Sequence, residues 1–108
     1  MSTDRELLEL AAKAAGYDVT IVGAGEHAYG LMNYGAYRPT WNPLTDDGDA
    51  LRLAVKLEMI LSLIQHDIFD PEPDDPLVIV ATDHDRKDPY AATRRAIVRA
   101  AAAIGATK

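Results

Sequence analysis

The 108-residue chain contains no cysteine. Disulfide frameworks, thiolate metal sites, cysteine nucleophiles and thiol redox chemistry are therefore excluded together. Serine is nearly as scarce. Ser2 is terminal and Ser62 sits inside an apolar run, so neither stands in a nucleophile context for serine hydrolysis. No run approaches 18 uninterrupted apolar residues, so no membrane span is expected. The opening MSTDRELLEL lacks a basic stretch followed by an apolar core, so a cytoplasmic rather than secreted protein is expected. Positive charge is also in short supply, with 11 Lys and Arg against 17 Asp and Glu. What remains is 48% hydrophobic and 26% charged. That balance is ordinary for one small globular domain spanning residues 1–108, and too apolar for a disordered chain.

Three helices are expected. In the first, over residues 3–15, Leu7, Leu10, Ala11, Ala14 and Ala15 share a face; Ser2 or Thr3 can cap it, and Gly16 can stop it. The second follows the Asn42-Pro43-Leu44 turn, with Thr45 or Asp46 as cap, Leu51, Ala54, Val55 and Leu57 at helical spacing, and Arg52 and Lys56 facing outward. In the third, Asp88 caps, Pro89 takes the favoured first position and Gly105 stops the helix. Its inner face carries Tyr90, Ile97, Ala101 and Ile104.

Strands are expected between the helices. Asp18–Val22 is a β-branched run. From His27 to Trp41, aromatics interleave with Gly30 and Gly35, which suggests one or two short strands with turns near Asn33 and Gly35. A switch into strand near Met59, and a strand over Leu77–Thr82, would form a long hairpin around the acidic Asp70–Pro76 loop. The resulting class is α+β: one mainly antiparallel sheet with about three helices packed on it.

Several segments resemble chemical motifs. Val19–Ala28 matches strand-G-x-G-x-x-A as text, but the glycine-rich stretch after it is a poor helix. No cofactor is expected there. Asp83-His84-Asp85 offers ligand types for a divalent ion, yet on an extended segment the imidazole points away from both carboxylates. His27 and His66-Asp67 complete no ligand set. Asp46-Asp47-Gly48-Asp49 lacks the downstream glutamate of a calcium loop and is better read as helix capping. No metal site is expected.

Charge is unevenly placed. Residues 1–85 hold 5 basic and 16 acidic side chains, whereas residues 86–108 hold 6 basic and one acidic. Arg94, Arg95 and Arg99 form either the solvated face of the last helix or a patch for an anionic partner. The overall negative charge argues against nucleic acid.

Two segments carry a likeness to known proteins: Trp41-Asn42-Pro43-Leu44 running on to Leu57, and Asp88-Pro89-Tyr90 running on to Ala101. There the chain resembles small phage and prophage proteins of the ABA sandwich and NinX-like families. The resemblance implies an α/β/α sandwich and carries over no catalytic residue. Trp41 itself reads as a structural clasp, with ligand stacking as the alternative.

The resulting expectation is a non-enzymatic phage or prophage accessory protein of the bacterial cytoplasm, acting through protein contacts and associating with itself. Tyr29, Tyr34, Tyr37 and Trp41 are the expected contact residues, with Arg94, Arg95 and Arg99 as a second surface. An acidic nucleic-acid mimic or nucleic-acid-associated module is the alternative, and a small metal-dependent enzyme a third.

Overall fold

The computed structural model describes residues 3–62, 78–80 and 88–108. Helix α1 (Asp4–Ala15) begins where the Thr3 hydroxyl accepts the Glu6 amide at 3.2 Å. It ends at Gly16, whose φ of 75° lets the Gly16 and Tyr17 amides turn back to the carbonyls of Lys13 and Ala12. That pair of bonds is the Schellman closure that glycine favours. Leu8 and Ala11 are fully buried, and Leu10 only partly.

Strands β1 (Val19–Val22), β2 (Tyr29–Met32) and β3 (Thr40–Trp41) form an antiparallel sheet in that order. Between β1 and β2 lies a single 3₁₀ turn, Gly25–His27. No helix follows the glycines, so the nucleotide-binding geometry is not built there. Gly23 has a φ of 82°, and a Cβ on it would lie 2.6 Å from the His27 carbonyl oxygen. The β2–β3 hairpin keeps one register from Gly30↔Trp41, through the Met32 amide bonded to the Pro39 carbonyl, to Tyr34↔Tyr37. Tyr34 and Tyr37 exchange two backbone bonds of 3.2 Å around Gly35-Ala36, and Gly35 has a φ of 68°. Glycine in the left-handed region at the first central position is the signature of a type II′ turn, whose twist suits a hairpin.

Helix α2 (Asp47–Lys56) is capped by Asp46, which accepts the Asp49 amide at 2.8 Å. Its buried residues are Ala50, Leu53 and Ala54. The expected stripe through Leu51 and Val55 is corrected here: those side chains are 56% and 69% exposed. The rotation is set from outside the helix, because the Asp49 carboxylate accepts the Asn42 amide at 2.9 Å. This bond ties the first turn to the end of β3. The helix closes with the same Schellman pair as α1, Glu58 amide to Val55 and Met59 amide to Ala54, but Glu58 takes the left-handed position at φ 55°.

Strand β4 (Ile60–Ser62) begins close to the expected switch near Met59 and pairs with β5 (Val78–Val80). The pairing is parallel, so the expected hairpin is corrected. Parallel neighbours need a crossover connection rather than a reversing loop. The Asp70–Pro76 segment that was to form that loop lies outside the described residues.

Helix α3 (Pro89–Ala106) starts as expected, with Asp88 accepting the Ala91 amide at 2.9 Å. It then runs through Gly105 and ends at Thr107, so Gly105 is not its stop. Gly105 instead lies tight against α1, where a Cβ would sit 2.0 Å from the Leu10 carbonyl oxygen. Ile97, Val98, Ala101 and Ala102 are buried, whereas Tyr90, expected inside, is 69% exposed. Arg95 bonds Asp4 at 2.8 Å, and Lys108 donates to the Ala14 carbonyl at 2.7 Å. Contacts thus advance along both helices together, and α1 and α3 run in the same direction. A cation placed at the carbonyl end of α1 also complements its dipole. The three helices, Ile21 and Trp41 share one core on the inner face of the antiparallel sheet.

Candidate interaction surface

Strand alternation sorts the aromatics. The register places Val19 and Ile21, Gly30, Met32 and Tyr34, and Tyr37 and Trp41 on the inner face, with Thr20, Tyr29, Asn33 and Arg38 on the outer face. The four expected aromatic contacts are therefore not one surface. Trp41 is buried at 3% exposure and acts as the clasp. Gly30 makes room for it, since a Cβ there would stand 3.0 Å from the indole Cε3 and 3.4 Å from Ile21 Cδ1. Tyr29, 39% exposed, looks out from the opposite side of the sheet. Only Tyr34 and Tyr37 come together, at the hairpin tip beyond the core, where they are 58% and 70% exposed.

A residue not singled out in the sequence packs on Trp41. Tyr17 meets Trp41 edge-on, ring centroids 5.9 Å apart at 83°. Partial burial pushes its phenol pKa up, and the neighbouring Tyr34 adds to the rise while Arg52 opposes it. Beneath lies a polar clamp. Asp49 accepts from the Asn42 amide and, at 2.6 Å, from the Arg52 guanidinium, and Asp46 stands 3.8 Å from that guanidinium. Its hydrogen bond to Asp49 raises the Arg52 pKa further. Asn42 also donates to the Ala28 carbonyl at 3.2 Å and accepts the Leu44 amide at 3.1 Å. Trp41 is thus held from both sides of the chain. The sequence signal for Tyr17 is its place just after the Gly16 stop, where a Schellman closure turns the following side chain back onto the helix.

On the outer face, Asn33 donates to Asp18 at 3.0 Å and to Thr20 at 3.2 Å, and accepts from Arg38 at 3.0 Å. This row crosses all three chain segments of the sheet and stiffens the base of the tip.

The arginine surface is largely consumed by the fold. Arg94 donates to the Leu44 carbonyl at 3.0 Å and pairs with Asp47, and Arg95 pairs with Asp4. Arg99 alone of the three has no partner among the described residues. It lines an open groove of about 370 Å³ between α1 and α3, together with Leu7, Leu10, Ala102 and Ala103.

Among the described residues, no three His, Asp or Glu side chains are grouped to hold a metal ion. Asp83, His84, Asp85, His66 and Asp67 lie outside those residues. No described helix is long and apolar enough to cross a membrane. No protein-family model, curated protein or solved structure matches the chain.

Proposed function

We propose that this chain is a non-enzymatic accessory protein that binds another protein through the tip of its β2–β3 hairpin. The observation that carries the reading is the exposure of Tyr34 and Tyr37, which flank a two-residue turn at the far end of the β2–β3 ladder from the buried Trp41. Tyrosine offers large amphipathic contact area with few rotatable bonds, and a preformed turn lowers the ordering cost of binding. The likeness of the Trp41–Leu57 and Asp88–Ala101 segments to small phage proteins supports a phage or prophage origin and a site of action in the bacterial cytoplasm. No cofactor is needed for such a role. The reading does not use the arginines, because two of the three are engaged within the chain.

The test is retention of a stoichiometric partner from host lysate by immobilised wild-type chain, with Tyr34→Ala/Tyr37→Ala and Tyr29→Ala run beside it. The tip variant should lose the partner and keep its circular dichroism spectrum, while Tyr29→Ala, on the other face, should retain it. Equal capture by all three would overturn the tip as the contact.

A further inference from the structure

Among the described residues, the first strand has a free edge. In the β1–β2 ladder the Asn33 amide bonds the Asp18 carbonyl, so the alternation of an antiparallel pair directs Asp18, Thr20 and Val22 backbone groups toward β2. The amides and carbonyls of Val19 and Ile21 then point to the side where no described strand pairs. Beside them runs an open groove of about 400 Å³, lined by Glu9, Ala12 and Lys13 of α1 and by Tyr17, Val19 and Ile21. An edge of β-branched residues with unpaired backbone groups is a template for a further strand.

We infer that this edge takes the same edge of a second copy of this chain, antiparallel about a two-fold axis through Thr20. Self-complementarity carries the choice of occupant. Pairing Val19 with Ile21 of the second copy satisfies the free groups of both residues on both chains, and sets Thr20 opposite Thr20, a favourable cross-strand pair. The charges agree as well. Helix α1 runs antiparallel to β1, since Arg5 donates to the Gly23 carbonyl at 3.0 Å while Tyr17 closes the other end. Glu9 therefore flanks the Ile21 end of the groove and Lys13 the Val19 end. The two-fold brings Lys13 of each copy toward Glu9 of the other. Lys13 has no partner among the described residues, and Glu9 is shared only with Arg5. An isologous interface requires such a patch, complementary to itself. Two three-stranded sheets become one of six, with both α1 helices on the same face. This surface is separate from the tyrosine tip, and its failure would leave that reading intact.

Sedimentation equilibrium across a wide concentration series tests the inference. The 11.7 kDa chain should form a concentration-dependent dimer, and Tyr34→Ala/Tyr37→Ala should dimerise unchanged. Thr20→Lys sets like charges across the axis and should raise the dissociation constant by about tenfold or more. Mixing it with Thr20→Glu should restore a heterodimer. Should Thr20→Lys fail to fold, Lys13→Glu on the exposed side of α1 takes its place, with recovery on adding Glu9→Lys. In amide hydrogen exchange, Val19 and Ile21 should be protected at high concentration and exchange fast when dilute. A monomer at every concentration, a dimer indifferent to these charges, or exchange at Val19 and Ile21 independent of concentration would each overturn it.

Discussion

Replacing Gly105 with alanine decides how closely α1 and α3 approach. On an exposed helix that change stabilises, because glycine is about 1 kcal/mol poorer than alanine in a helix interior. Here the added methyl carbon would lie 2.0 Å from the Leu10 carbonyl oxygen, 2.8 Å from its carbon and 3.2 Å from its Cα. These are backbone atoms of another helix, and no rotamer change relieves them. Restoring an ordinary contact of about 3.5 Å requires the helices to part by roughly 1.5 Å. That separation loosens the packing around Ala101 and Ala102, both buried. Overpacking of this kind costs about 3 kcal/mol at the upper end of its usual range. Set against about 1 kcal/mol of helix propensity, the net destabilisation is about 2 kcal/mol. For a domain of this size the melting temperature should fall by roughly 8–16 °C. Urea unfolding followed by far-ultraviolet circular dichroism, with an unchanged m-value, measures it. Gly105→Ala as stable as wild type, or more so, would refute a backbone-to-backbone contact at this position.

Three further outcomes follow from the same geometry. Gly48→Ala, in the first turn of α2, meets only the end of the Arg52 side chain and an Asp46 oxygen at 3.1–3.2 Å; it should stabilise by about 0.5 kcal/mol in the same assay. Glu58→Gly relieves a non-glycine residue at φ 55°, and after the added freedom of the unfolded chain is counted should also gain about 0.5 kcal/mol. Burial, then Tyr34, raises the Tyr17 pKa in the folded chain. Its stabilising contribution is therefore complete below the unfolded phenol value and is lost as pH rises through the folded value. Stability measured on the alkaline side of about pH 10 should fall more steeply in wild type than in Tyr17→Phe, and parallel curves would contradict that environment.

What could be read from the residues was mostly local chemistry. Thr3, Asp46 and Asp88 each carry a side-chain oxygen that satisfies a first-turn amide, and each caps the helix expected of it. Gly16 and Gly35 take the left-handed backbone that such positions demand. What escaped is set by tertiary packing. In α2, two apolar stripes one residue apart are both at helical spacing, and the choice between them rests on the Asp49–Asn42 bond. Gly105 looks like a terminator because glycine has two uses, ending a helix and admitting a neighbour, and the residue itself does not distinguish them. The end of α2 carries Glu58 where a glycine would have marked it. The direction in which β4 and β5 pair is not encoded by the apolar run of either. The division of the aromatics, by contrast, was legible: Tyr29 and Tyr34 stand an odd number of residues apart, and Tyr37 and Trp41 an even number. Only the continuity of the strands through the hairpin was needed to use it.

The same-direction pairing of α1 and α3 bears on how the molecule can assemble. Arg95 and Asp4 are 91 residues apart in sequence, and Lys108 and Ala14 are 94. A polypeptide emerging amino end first presents Leu7, Leu8 and Ala11 long before their partners Ile97, Val98 and Ala101 exist. Neither half of the chain can close this core alone, so cooperative folding must wait for the final helix, and loop-closure entropy over nearly the whole sequence precedes the reward. A shortened product lacking α3 would leave the apolar side of α1 open to other chains, a state prone to aggregation and to proteolytic clearance. The helix pair thus makes synthesis of α3 a condition for burying the hydrophobic face of α1.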